Sequence, residues 1–488
     1  MYINDFSNNR VFVKAKVKQK KYHIEHHDNR FIKGAYYLFK NNFLNIILFI
    51  IVIFIWIPTC LPGGDNPLYL MVSTWIWLHC LLILERNAKK LYNYLFLFIA
   101  LWISLAFNNF GTYGSTFIQF VLNLINCIIV FPAFLIDNLL NRKFNNFLMT
   151  LVFPILFLLF SFISLFFNIG TNLRIDIFQG ILIVPYQIVS VIGAFGMSFL
   201  ITWICTCIIY IFKNRKNYRK LIKAIICPII IIFIWIFGFV RLKTIPKEDF
   251  SFNMAYAIGP YRGDFLEDYN ISYEEQVEYF TSTCKKAAEE GAKLIVYTEE
   301  SFYMLDNEYE RFITLVKNMS KDNNIDILLG VEKDNYYSMD INEILWATSN
   351  GEIKIEYKKS RLIPVLESRD YEVGDNIIPY IDFPIDGHIV RISMCICFDG
   401  HNPLYTYSMN PETNVFILPA WEWDIIQEKA RLSTTYIPVQ NHVTFVKVVY
   451  DGYSFVTDPY GREIYIEKNN NFNNSYLKII NIPVYEKD

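Results

Sequence analysis

Between residues 43 and 240 the chain carries seven apolar runs, at 43–60, 67–85, 92–108, 115–137, 146–167, 188–212 and 222–240. A helix needs about 20 mostly apolar residues to cross a bilayer, so each run is long enough for one span. The whole chain is 53% hydrophobic and 17% aromatic, well above a soluble average, and the excess sits in this half. From residue 244 onward the mixture is that of a soluble protein. The expected organisation is a basic segment at 1–41, a transmembrane bundle at 42–243 and a soluble domain at 244–488, with the boundary near "RLKTIPKEDF". The first run follows some forty polar residues and lacks a small-residue cleavage site, so it reads as a span and not a cleaved signal peptide.

Lys and Arg favour cytoplasmic loops. The N-terminal segment (Lys14, Lys16, Lys18, Lys20, Lys21, Arg30, Lys33) and the loops "ERNAKK", "NRK" and "KNRKNYRK" are basic. The intervening loops "PGGDNP" and "NNFGTYG" have neither residue, and "NIGTNLRID" has one Arg. Seven spans with the N-terminus inside put the soluble domain on the extracytoplasmic face of the cell membrane. Within 180–210, Pro185, Gln187, Gly193 and Gly196 interrupt the apolar pattern. Two readings fit: a kinked helix packed through small residues, or a partly re-entrant element lining a cavity beneath the outer domain. The cluster His23, His26 and His27 reads as a solvated juxtamembrane tail. A net charge of -2 implies no nucleic-acid partner.

The soluble half alternates strand-like and helical runs, the pattern of a layered α/β domain. Strands are expected at "FSFNMAYAIG", "KLIVYTEES", "IDILLGVEK", "EILWATS", "GEIKIEYKKS", "HIVRISMCICFDG", "TNVFILPAW", "TFVKVVYDGYSFVTDP" and "REIYIEK". Helices are expected at "SYEEQVEYFTSTCKKAAEEG", at "YERFITLVKNMSKDNN" and from about 424 to 440. Three polar residues end strands: Glu299 after "LIVY", Lys359 after "EIKIEY" and Cys397 after "VRISMCI". Strand ends are where such domains form ligand sites.

A Glu, a Lys and a Cys form a coherent chemical set. A free thiol has a pKa of about 8.5, so little of it is thiolate at neutral pH. A carboxylate can take its proton, and an ammonium stabilises first the thiolate and then the oxyanion of a tetrahedral intermediate. The set suits attack on an acyl carbon through a thioester and calls for no metal and no cofactor. Taken singly, each has a plainer reading: Cys397 as an inert core residue, Lys359 as a solvated lysine beside Lys358, Glu299 as an ion-pair partner.

The order Glu, Lys, Cys, each after its own strand, resembles the carbon–nitrogen hydrolase (nitrilase) superfamily. With a polytopic first half it resembles one branch, the apolipoprotein N-acyltransferases. "LIVYTEES" is similar to that family's strand ending in Trp-Pro-Glu, which maps the base to Glu299 and not Glu300. "YKKSRLIPVLE" is similar to its Tyr-x-Lys-x-x-Leu-Val-Pro-Phe-Gly-Glu motif, which selects Lys359 and adds Glu367. "CICFDG" is similar to its Ile-Cys-Tyr-Glu, which selects Cys397 and leaves Cys395 as a core residue on the same strand face. "VIGAFGMSFLI" and "GYSFVTDPYGREI" resemble two further segments of the family.

The resemblance implies a four-layer αββα sandwich on a membrane bundle. It implies a thioester route from a membrane phospholipid to the N-terminal amine of a lipoprotein, or another amine acceptor. The alternatives are a membrane-tethered amidase or nitrilase-type C–N hydrolase with the same three residues, and a non-catalytic scaffold. Phe398 and Asp399 depart from the family's Tyr and Glu, Val365 and Leu366 from its Phe-Gly, and Ile437 and Gln440 from the Arg and Glu of its acceptor segment. "PAWEWDII" keeps Trp421 but not the family's amides, and Trp421 and Trp423 are expected to support the site, either as a lipid-facing flap with Ile425 and Ile426 or as core residues of a loop. The chain ends at Asp488 in polar sequence, without the family's final span.

Overall fold

A computed structural model describes residues 43–61, 65–113, 115–166, 173–259, 271–335, 338–423, 425–469 and 476–486. The basic N-terminal segment and its three histidines lie outside the described residues.

Seven described helices are long and apolar enough to cross a membrane: α1 (Phe43–Cys60), α2 (Pro67–Asn87), α3 (Leu91–Asn108), α4 (Thr116–Lys143), α5 (Phe147–Leu165), α6 (Val189–Asn214) and α7 (Tyr218–Lys243). The chain is a multi-pass membrane protein. Helix starts follow local chemistry. Pro67 opens α2 without losing a needed N–H, and the Asn66 side chain accepts from the Tyr69 N–H at 3.2 Å. α4 runs past residue 137, the expected end, because Asp137 and Asn138 are buried there: Asp137 pairs with Arg86 of α2 at 2.6 Å.

The segment before α6 is both kinked and a docking element. Residues Ile183–Tyr186 make a single helical turn. α6 then breaks at Gly193, whose φ of 69° suits glycine. The break frees the Ala194 N–H, which donates to Gln440 Oε1 of the soluble domain at 2.9 Å. Gln187 Nε2 donates to the Tyr460 carbonyl at 2.8 Å, and Arg241 Nε donates to Gln187 Oε1 at 3.0 Å. Residues Gly180, Ile181, Ile183 and Tyr186 line a cavity shared with Arg431 and Thr435.

The soluble domain is two stacked sheets. The first contains β1 (Phe250–Ile258), β2 (Leu294–Tyr297), β3 (Phe302–Leu305), β4 (Asp326–Asp334), β5 (Ile341–Ala347), β6 (Ile353–Lys358) and β13 (Tyr476–Val484), in the order β13-β1-β2-β4-β5-β6 with β3 also on β4. The second contains β7 (Tyr380–Ile385), β8 (His388–Met394), β9 (Val415–Ala420), β10 (Thr444–Val449), β11 (Gly452–Thr457) and β12 (Glu463–Asn469), in the order β12-β11-β10-β9-β8-β7. Their inner faces meet through Phe252 and Trp346 against Phe383, and Tyr256 against Tyr465. α8 (Tyr273–Glu289) and α9 (Asp306–Asn323) cover the outer face of the first sheet around Phe280, Phe302 and Phe312. The Ser272 hydroxyl and Glu275 carboxylate close the start of α8 as a capping box.

The fourth layer is α10 (Pro403–Tyr407), α11 (Gln427–Ser433) and α12 (Tyr436–Asn441), so the sandwich is αββα. The single helix expected at 424–440 is two. The ring of Pro438 excludes a bond to the carbonyl of residue 434, which ends one helix and suits the first turn of the next. α12 packs on α6, which puts this layer between sheet and membrane bundle. The three loops poor in Lys and Arg all meet the domain here. Asp65 accepts the Glu428 N–H at 3.2 Å, Gly111 accepts the Trp423 indole N–H at 2.6 Å, and Arg174 donates to the His401 and Ser433 carbonyls at 3.2 Å. The basic loops lie at the opposite end of the bundle.

Candidate active site

Glu299 follows β2, the central parallel strand beside β4. The turn that carries it presses on β4: a Cβ on Gly330 would stand 2.3 Å from the Thr298 carbonyl oxygen and 3.0 Å from the Glu299 Cα. Only glycine lets the backbones come this close. The next residue, Glu300, has φ 47°, a strained conformation for a side-chain-bearing residue. Glu299 is buried, and both its oxygens are engaged. Oε1 accepts from Lys359 Nζ at 2.7 Å and from Asn342 Nδ2 at 2.9 Å, and Oε2 accepts from the Trp421 N–H at 2.8 Å.

Lys359 is fully buried one residue past β6. Its Nζ also donates to Glu367 Oε1 at 2.6 Å, while Glu367 Oε2 accepts the Ile363 N–H at 2.8 Å. Burial disfavours the Lys359 charge, but the Glu299 and Glu367 carboxylates outweigh it and hold the ammonium well above its ordinary pKa. Burial raises the Glu367 carboxyl, and Lys359 opposes that shift. Lys358, by contrast, points outward to Glu372 at 2.9 Å.

Cys397 opens a short 3-10 turn, Cys397–His401, directly beyond β8. Its φ is 42°. A cysteine held in the left-handed region costs of order 1–3 kcal/mol, so the surroundings must impose it. Asp399 does much of this. Its Oδ2 accepts from the Ile396 N–H at 3.1 Å and the Tyr357 hydroxyl at 2.8 Å, and its Oδ1 accepts from the Ser360 and Arg361 N–H groups at 3.2 and 2.6 Å. One buried carboxylate thus ties the cysteine turn to the lysine loop. Burial pushes its pKa up to about 7. Cys397 Sγ donates to the Trp421 carbonyl at 3.6 Å. Burial, then the Glu299 charge, push its thiol well above the usual value, and Lys359 pulls the other way. The resting group is therefore a thiol that needs a base. Cys395 is also buried, at the strand end, with its N–H on the Ile417 carbonyl at 3.3 Å.

Glu299, Lys359, Glu367 and Cys397 are thus brought into one electrostatically linked cluster, with Trp421 bonded to two of them through its backbone. Trp423 is half-buried, packed with Phe398, Ile363, Tyr113 and Leu122 at the junction with the α3–α4 loop. Asn342 and Asp399 had no signal of this kind in the sequence beyond their type. Asn342 sits inside a strand, and Asp399 is legible only as a departure from a motif. Gln440 spends its amide on the Ala194 N–H and the Pro403 carbonyl. Cys397 opens on a cavity whose far wall is the membrane half: Asn108, Asn109, Thr112, Ile177 and Phe178.

Residues 260–473 match the carbon-nitrogen hydrolase family. The apolipoprotein N-acyltransferase of Rickettsia prowazekii (strain Madrid E) is 24% identical over 361 residues, covering 65% of this chain and 67% of that one. That of Rickettsia typhi (strain ATCC VR-144 / Wilmington) is 22% identical over 356 residues, with the same shares. An amidase from Nesterenkonia sp. superposes at a TM-score of 0.40 with 15% identity, covering 49% of this chain and 92% of that one.

Proposed function

We propose that this protein is a membrane-bound N-acyltransferase that moves an acyl chain from a phospholipid, through a thioester on Cys397, to the N-terminal amine of a lipoprotein. The observation that carries the reading is the placement of Cys397. It sits on a strained turn beside the Glu299–Lys359 pair and opens on a cavity walled by the membrane-end loops. The names of the two relatives support the acyltransferase class.

Glu299 takes the Cys397 proton, and the thiolate attacks an ester carbonyl of the donor. Lys359 and backbone N–H groups after Cys397 hold the oxyanion. The tetrahedral intermediate collapses, Glu299 returns the proton to the leaving alkoxide, and a lysophospholipid departs. The acceptor amine then attacks the thioester, loses a proton to Glu299, and Cys397 leaves as the amide forms. Glu367 fixes Lys359, and Trp421 fixes Glu299. A site at the membrane end suits substrates whose acyl chains cost roughly 0.8 kcal/mol per CH₂ to lift into water.

We place the catalytic domain on the extracytoplasmic face of the cytoplasmic membrane, because the loops that touch it are those without a Lys and Arg excess. A reporter active only outside the cytoplasm, fused after Asp488, is expected to be active; activity of a cytoplasm-only reporter there reverses the orientation. For the chemistry, acyl-enzyme is expected to accumulate with phospholipid alone and to discharge on adding a lipidated peptide with a free N-terminal amine. Release of free fatty acid at one rate with or without an amine would make the protein a hydrolase.

A further inference from the structure

We propose that Lys429 is the donor-reading residue of this site: its ammonium binds the phosphodiester of the phospholipid whose ester Cys397 attacks. The inference rests on the acyl-transfer reading above and adds which part of the donor is recognised, and by what.

Lys429 lies on α11 and is buried in the wall of the cavity that holds Cys397. Its Nζ donates to the Asn108 carbonyl at 2.9 Å, its one hydrogen-bond partner among the described residues. An ammonium has three donors, so this one has donors to spare. Among the described residues, Glu422 pairs through Oε1 with the buried Lys447 and Glu428 pairs with Arg431, while Asp65, which accepts the Glu428 N–H at 3.2 Å, offsets the Lys429 charge only in part. The contrast with Lys447 is instructive. A buried lysine with a structural task is matched by a carboxylate, as Lys447 is by Glu422; Lys429 is matched by a carbonyl.

Burial brings the Lys429 pKa down to about 8, with only partial compensation from Cys60 and Asp65. A bound anion would relieve that cost. Beside it, Asn108 Oδ1 is buried without a partner, and Asn108 lines the same cavity. The wall therefore offers unmet donors next to an unmet acceptor. A headgroup carrying a phosphate and a hydroxyl or amine satisfies both. In a glycerophospholipid the phosphate is a few bonds from the acyl ester, and Cys397 and Lys429 line one cavity. A diacylglycerol has the ester but nothing for Lys429 to bind.

The test is acyl-enzyme formation by the full-length protein in detergent micelles, with phosphatidylglycerol or the matched diacylglycerol as donor. The wild type is expected to favour phosphatidylglycerol. Lys429→Met is expected to raise its apparent KM and lower the preference roughly ten- to a hundredfold, the value of one charge-assisted hydrogen bond, and Lys429→Arg to restore most of it. An unchanged preference in Lys429→Met overturns the inference. Equal acylation of the wild type by both lipids overturns it without any variant and leaves the acyl-transfer reading standing. Acylation by neither defeats both.

Discussion

Cys397→Ala abolishes acyl transfer, while Cys395→Ala keeps it: this is the largest effect expected of a single substitution here. The two thiols are two residues apart and both buried, so burial does not separate them. Geometry does. Cys397 is the residue with φ 42°, its sulfur reaches the Trp421 carbonyl, and Glu299 and Lys359 are the first charges it feels. Cys395 sits at the strand end, where the acid acting on it is Asp399, already holding four donors. Losing one buried sulfur at Cys395 costs packing of about 1 kcal/mol, measurable by denaturant unfolding. Equal loss of turnover in both variants contradicts the assignment.

Lys359→Met is expected to damage both stability and turnover. It leaves Glu299 and Glu367 buried without their shared cation, and breaking a buried pair from one side costs about 3–5 kcal/mol. Removing the oxyanion donor lowers turnover by about 10²-fold or more in the protein that remains folded. Glu299→Gln separates the two effects. The amide oxygen can still accept from Lys359, so the fold is better preserved. The base is gone from both half-reactions, though, and a loss of about 10²–10⁴-fold is expected in each. Lys358→Ala is the control, since its exposed pair with Glu372 is worth about 0–1 kcal/mol. Thermal unfolding and single-turnover rates read these out. A harmless Lys359→Met beside a damaging Lys358→Ala would mean that the lysine assignment is off by one.

The membrane half was legible because apolar runs of span length have few other uses, and the loop charges tracked which loops meet the soluble domain. The strands bearing Glu299, Lys359 and Cys397 were legible because each is a buried apolar run that stops abruptly at a polar residue. Short or mixed strands were not. β3 has four residues, β7 carries Asp382 and Pro384, and β13 carries Asn481 and Pro483 at a sheet edge, where proline is tolerated. The split between α11 and α12 had a sequence signal, Pro438. The supporting residues had none. Asn342, Asp399 and Lys429 are defined by partners 38 to 321 residues away, and no local pattern encodes such pairings. The segment 180–210 stayed open between two readings because its breaks serve the domain interface, which only the folded chain reveals.

The central claim is that an acyl group rests on Cys397. Incubating the purified protein with labelled phospholipid and no acceptor, then mapping the label by peptide mass spectrometry, tests it most directly. The expected result is one acyl chain on the peptide containing Cys397, released by hydroxylamine as a thioester is and absent from Cys397→Ala. Label on another residue, or on none while an amine added with the phospholipid is still acylated, would contradict the account.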